Sequence, residues 1–142
     1  MTDNEALNKT TSKGRMAPKL LWVVQIVVGI DFIIGGVVKL IGIQAMVDLF
    51  TRIGGGQWFR YLVGFLELAG GIGVLILPLS GLAALGLAAL LSSATFTNVV
   101  IIDDPPWVPL FWLTVVAIVA WRRWPQTKAL FAGFRRGRLG LS

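Results

Sequence analysis

The chain contains no cysteine and no histidine. It therefore forms no disulfide, performs no thiol redox chemistry, and offers no ligands for a His- or Cys-held haem, an iron–sulfur cluster or an ordinary zinc site. Charge is the second shortage. Asp, Glu, Lys and Arg make up 14% of the 142 residues, where a soluble domain carries about 25%. No Ser/His/Asp set, phosphate loop, nucleotide motif or metal cluster is present in the sequence. No catalytic residue and no metal ligand are nominated. What remains is mostly apolar, at 56% of the chain. The net charge of +6 would suit nucleic acid, but the basic residues sit in the two tails. The apolar centre would not fold alone in water, so nucleic acid is set aside as a partner.

The length suits one domain. Residues 1–18 are polar, close on Pro18, and read as a disordered cytoplasmic tail. A membrane domain is expected over residues 19–124, with spans at about 20–40, 61–77, 81–102 and 108–121. A basic cytoplasmic tail, 125–142, follows. The first run is long enough to cross a hydrocarbon core that needs roughly 20 residues, and it reads as an uncleaved signal anchor. Pro78 and Ser80 mark a tight turn, and Asp103-Asp104-Pro105-Pro106 ends the third span, since paired prolines cannot continue a helix. Between the first two spans, Met46, Leu49, Phe50 and Ile53 recur at helical spacing, with Asp48 and Arg52 at i and i+4. A short helix over Gln44–Ile53 is predicted there, broken by Gly54-Gly55-Gly56.

Orientation follows from the basic residues. The tails hold ten of the thirteen, six of them in Arg122, Arg123, Lys128, Arg135, Arg136 and Arg138. The Asp103-Asp104 loop holds none. Both termini are then cytoplasmic. Trp22, Trp121 and Trp124 fall at the inner interface, and Trp58 and Trp107 at the outer one. The fold expected is an all-α integral membrane four-helix bundle. The basic C-terminal segment reads as a topology signal and anionic-lipid anchor, or as a docking surface for an acidic partner.

Two carboxylates interrupt the apolar spans, Asp31 and Glu67. A charge near the bilayer centre costs at least ~2.5–3.5 kcal/mol on insertion scales, so such groups face the interior and find partners. Asp31 lies roughly 12 Å along the helix from Lys39, and Glu67 roughly 10 Å from Arg60. Both carboxylates are thus at similar depth in the outer half. Asp31, Gly35 and Lys39 share one helix face, as do Gly64, Glu67 and Gly71. Glycines Gly35, Gly64 and Gly71 are expected to let the helices approach closely. Ser92, Ser93, Thr95, Thr97 and Asn98 all lie in the second half of the third span, while Leu82–Leu91 is only Ala, Gly and Leu. One intramembrane polar site is expected, made of Asp31, Lys39, Glu67, Ser93, Thr97 and Asn98. Its bland alternative is an ion pair of Lys39 with Glu67 or Asp31 that locks helices, with Ser and Thr bonded back to their own carbonyls. The aromatic residues read as interface anchors and core, and the inner half as apolar packing.

In order along the chain, Gly35-Gly36-Val37-Val38-Lys39-Leu40, a connecting segment around Phe50, and Leu62-Val63-Gly64-Phe65-Leu66-Glu67-Leu68-Ala69-Gly70-Gly71 resemble the DoxX-like (DoxX/DoxD) membrane proteins. The second motif is similar to that family's Gly-x-x-Glu-Leu-x-Gly pattern. The resemblance covers about residues 20–122 and carries Lys39 and Glu67 with it, but not Asp31. It implies a link to oxidoreductase systems, since some relatives are membrane subunits of a thiosulfate:quinone oxidoreductase and others partner redox-protective proteins. Relatives often have a histidine late in the third helix, where this chain offers Thr95, Thr97 and Asn98.

Three functions stay open at this point. The chain is an accessory or quinone-interacting subunit of a membrane redox system, in which case quinone is its cofactor and a redox protein its partner. Or it is a small proton-linked transporter, with Asp31 and Glu67 exchanging protons. Or it is a structural scaffold. In each case the expected setting is the bilayer of a bacterial plasma membrane, crossed several times, and a homo-oligomer fits all three. An enzyme acting unaided fits least.

Overall fold

The structure, a computed structural model, describes residues 3–138 and 140, with side chains from Pro18 onward. Among the described residues it is all helical: α1 Asp3–Ile41, α2 Gln44–Ile53, α3 Gly56–Leu75, α4 Ser80–Thr97, α5 Trp107–Arg122 and α6 Trp124–Arg138. Three stretches are long and apolar enough to cross a membrane: Pro18–Ile41, Gly56–Leu75 and Leu77–Ile102. The fourth apolar helix, α5, is shorter. Its 16 residues rise about 24 Å.

The N-terminal tail departs from expectation. The backbone is already helical at Asp3 and stays so through Pro18, where the sequence reading has a disordered tail over 1–18. Ala6, Leu7, Lys9, Lys13, Arg15, Met16 and Ala17 are strong helix formers, and a proline removes a single backbone bond from the helix it sits in. Met1 and Thr2 lie outside the described residues. The C-terminal tail is likewise helical as α6, and its last residues, 139, 141 and 142, lie outside the described ones.

Helices α1 and α3 run antiparallel and touch through glycine at two levels. A Cβ on Gly36 would lie 2.6 Å from the Gly64 carbonyl, and one on Gly71 would lie 2.8 Å from the Gly29 carbonyl. Both pairs are spaced seven residues apart on their helices, so the two contacts fall on the same faces two turns apart. Helix α3 also packs on α4, and α4 on α5. Val28 and Phe32 of α1, Val74 of α3, Ala84, Leu87 and Leu91 of α4, and Val116, Val119 and Ala120 of α5 form the shared core. In lipid such contacts hold by close packing, because the surrounding acyl chains are as apolar as leucine. The opposite faces expose Ile30, Ile34, Phe65, Phe96, Phe111 and Ile118, an apolar surface suited to lipid contact.

Helix α2 forms as predicted and lies across the start of α3. Its buried Phe50 meets Phe59 edge-on at 5.8 Å. Gly42 (φ +75°) and Gly54 (φ +79°) frame it, in the left-handed region that favours glycine. The Asp48–Arg52 pairing is not formed; Asp48 instead accepts from Gln44 Nε2 at 2.9 Å. At the far end of α4 the chain widens into a π-turn, Asn98–Ile102. The Asn98 carbonyl accepts the N–H groups of Asp103 and Asp104 as the chain reverses toward Pro105-Pro106.

Candidate functional site: an aromatic-walled polar cavity

Helices α1, α3, α4 and α5 and the π-turn meet beneath α2 around an open-sided cavity of about 370 Å³. All six residues of the expected polar site, Asp31, Lys39, Glu67, Ser93, Thr97 and Asn98, line it. Residues that span more than sixty positions of sequence are thus brought to one chamber by antiparallel pairing.

Within it, Lys39 Nζ donates to Glu67 Oε2 at 2.7 Å, with the two side chains 17% and 13% exposed. Of the two ion pairs the sequence allowed, this one forms. Gly35 lies beside it, and a Cβ there would sit 3.3 Å from Glu67 Oε2 and 3.9 Å from Lys39 Nζ. Gly64 and Gly71 face Gly36 and Gly29 across the α1–α3 contact, whereas Gly35 faces the ion pair; the sequence analysis does not single out Gly36 and Gly29. The signal for them was there: both glycine pairs repeat at an interval of seven.

Asp31 stands apart from the ion pair. Its side chain is exposed, and among the described residues it has no hydrogen-bond or ion-pair partner. Ser93 Oγ donates to the Ala89 carbonyl at 3.1 Å and Thr97 Oγ1 to the Ser93 carbonyl at 2.9 Å. Ser92 and Thr95 bond back in the same way. The hydroxyl protons are thus committed to the helix, and the oxygen lone pairs remain.

The walls are aromatic. Phe32, Phe50, Phe59 and Trp112 line the cavity, and Phe32 meets Trp112 edge-on at 5.8 Å. This revises the expectation that aromatics serve only as anchors and core. Trp22, Trp58, Trp107, Trp121 and Trp124 are exposed, consistent with anchoring.

Arg60, which in the sequence only marks the depth of Glu67, is 4% exposed. Its guanidinium donates to the Lys39 carbonyl and to Gln57 Oε1, the latter at 2.7 Å, and lies 4.3 Å from the centre of the Tyr61 ring. A cation at the C-terminal end of a helix meets the negative end of its dipole. Arg60 thereby fixes the backbone that carries Lys39.

The opposite end corrects a second expectation. It is not purely apolar packing. Gln25, fully buried in α1, donates from Nε2 to the Val74 carbonyl at 2.9 Å. Its Oε1 accepts from Arg123 Nε at 3.0 Å and Nη2 at 2.5 Å. With its amide oriented to satisfy both atoms, Gln126 accepts from Arg123 Nη1 at 2.9 Å and donates to the Leu77 carbonyl at 3.0 Å. Ser80 Oγ, also buried, donates to that same carbonyl at 2.9 Å. Burial pulls the Arg123 pKa below its ordinary value, yet arginine keeps its charge across the physiological range. A lone Gln within an apolar run was the signal for this network.

Among the described residues no group of His, Cys, Asp and Glu could hold a metal ion. No curated protein and no solved structure matches the chain. The model of the DoxX-like family matches residues 23–121, which takes in the glycine faces, the ion pair and every polar residue of the cavity, and the chain belongs to the DoxX-like family.

Proposed function

We propose that this chain crosses the plasma membrane of a bacterium four times, with both ends in the cytoplasm, and serves a membrane redox system as a quinone-binding accessory subunit. The observation that carries the reading is the cavity. A chamber of about 370 Å³ suits one small ring. Aromatic walls would stack on that ring, and the polar layer would fix its oxygens. Lys39 supplies a cation and Asn98 an amide, while the exposed apolar helix faces give a lipid-soluble ligand its route. Four apolar helices packed on one core, with basic tails at the same end, support the bundle and its orientation. The chain has no cysteine, histidine or flavin motif, so electrons would pass to and from the ring through a partner protein.

The test is saturable binding of a decyl-tailed quinone to the purified chain in nanodiscs. The expected result is a stoichiometric site that Phe50→Ala weakens at least tenfold. Binding no greater than to empty nanodiscs would sink the reading. The absence of native cysteine makes topology equally testable. A membrane-impermeant maleimide should label Asp104→Cys from outside the cell and Gly137→Cys only after lysis.

One observation favours a second reading. Asp31 faces the cavity without a partner among the described residues, as a proton-exchanging group of a small transporter would. Substrate-driven proton flux in liposomes, lost in Glu67→Gln, would support it. A purely structural scaffold would instead keep its phenotype when Glu67→Gln and Lys39→Met are combined.

A further inference from the structure

We propose that α6 is an interfacial helix that binds the phosphate headgroups of anionic lipids at its end of the bundle. The inference rests on the helices crossing a bilayer and is independent of what the cavity holds.

The first turns of α6 are fixed to the bundle. Thr127 is buried, and Gln126 joins Ser80 and Arg123 in the Gln25 network. A Cβ at Gly81 would lie 2.9 Å from the Arg123 carbonyl. Helix α6 therefore rests on the Leu77–Leu79 turn and the start of α4. Beyond Leu130 it leaves the bundle, and residues 131–138 are exposed throughout.

The exposed part is not a plain solvated helix. Trp124, Lys128, Phe131 and Arg135 follow i, i+4, i+7, i+11 spacing on one face, and Phe134 and Arg138 adjoin it. Phe131 and Phe134 are 59% and 68% exposed, an arrangement that water disfavours. Lys128 Nζ lies 5.8 Å from the centre of the Trp124 ring, and the Arg138 guanidinium 5.3 Å from that of Phe134. Rings and cations thus form one stripe, while the far face carries Pro125, Ala129 and Gly133. Aromatic rings favour the headgroup level of a bilayer, and Lys and Arg lay their apolar stems there with the charge at the polar boundary. Residues 105–142 hold six basic and no acidic residues, so the lipid answering them is anionic. An acidic protein would answer the cations and leave the rings to water, whereas a lipid interface answers both. Each Lys or Arg beside an anionic surface strengthens the contact about fivefold.

The experiment uses the full chain in mixed phosphatidylcholine–phosphatidylglycerol nanodiscs, with a spin label on one introduced cysteine at a time. A label at Phe131→Cys should meet lipid-soluble oxygen more than an aqueous nickel chelate, and one at Ala129→Cys the reverse. Ile118→Cys, on the lipid-facing side of α5, is the reference for depth. Spin-labelled phosphatidylglycerol should associate with the unmodified chain at least threefold more strongly than phosphatidylcholine. Lys128→Gln, Arg135→Gln and Arg138→Gln combined should remove at least half of that preference, and Arg136→Gln, off the stripe, much less. Equal chelate access at Phe131→Cys and Ala129→Cys would place α6 in water and leave the stripe to an acidic protein. A lipid preference unchanged in the triple variant would equally overturn the proposal. A label at Ile118→Cys shut off from oxygen would overturn the spanning bundle itself, and the proposal with it.

Discussion

The two ends of the helical core each hold polar side chains between apolar helices, and they treat them in opposite ways. At the Gln25 end every buried polar atom is answered: Gln25 by Val74 and Arg123, and Arg123 in turn by Gln126. Around Asp31, one ion pair is answered and the rest of the layer opens into a cavity. A satisfied, sealed network joins helices, whereas an open layer with spare capacity has room for something else. Polarity alone does not tell the two ends apart; satisfaction does.

The largest effect should come from breaking the sealed end. Gln25→Leu removes the acceptor of two charge-assisted bonds and strips the Val74 carbonyl of its donor. Bonds to charged groups contribute about 1.5–3 kcal/mol each and do not simply add. A loss of about 3 kcal/mol is expected, read as a large fall in melting temperature in detergent. Ligand affinity of the surviving folded fraction should be unchanged. If affinity fell with stability, the two ends would be coupled and the contrast between them would fail.

The helix seam between the ends comes next. A Cβ at Gly36 would meet backbone atoms at 2.6 and 2.7 Å, the Gly64 carbonyl and the Leu68 nitrogen. Backbone cannot rotate away, so Gly36→Ala forces α1 and α3 apart. Overpacking of this kind costs about 1–3 kcal/mol. Because Lys39 lies one turn further on, ligand binding should weaken as well as stability. Gly86→Ala, where a Cβ meets nothing within 4 Å, is the matched control and should change neither.

A smaller effect is expected from the ion pair. Glu67→Gln leaves Lys39 without its counter-charge. Removing one partner of a fully buried pair costs about 3–5 kcal/mol, but this pair opens onto the cavity, so about 1–2 kcal/mol is expected by the same reasoning. Replacing both, Lys39→Met with Glu67→Leu, should restore most of the stability, because hydrophobic pairs often substitute for ionic ones at little cost. Ligand binding should stay lost in the double variant. Recovery of binding along with stability would make the pair structural only.

Much of this arrangement could be read from the chain. The all-helical character, three apolar stretches long enough to cross a membrane, the short helix α2 and the gathering of the six polar residues follow from hydropathy, helical spacing and depth along each helix, which are local quantities. Asp31 and Glu67 stood out because a carboxylate in an apolar run is expensive wherever it lies. Gln25 and Arg60 did not, for a different physical reason. A glutamine carries no charge to draw attention, and Arg60 sits at a span edge where basic residues are ordinary. Their burial depends on what packs against them from distant sequence: Val74 and Arg123 for Gln25, the end of α1 for Arg60. The aromatic walls were missed likewise. Nothing local separates Trp112, turned inward, from Trp107, turned out.

The smallest expected effect draws the sharpest line between structure and site, because it compares neighbours of identical chemistry. Ser92 and Ser93 both donate to the carbonyl four residues back, at 2.8 and 3.1 Å, and both are exposed. Only Ser93 lines the cavity. Each replacement by alanine removes one bond that an intact helix carbonyl does not need, so melting should move by less than the change produced by ~0.5 kcal/mol in either case. Stability therefore cannot tell them apart, and ligand binding should. Ser93→Ala removes a polar atom from the cavity wall and should weaken binding of the decyl-tailed quinone, whereas Ser92→Ala should leave it unaltered. Equal responses from the two serines would mean that the cavity wall is no more than a helix face, and that the open end differs from the sealed one only in being less well packed.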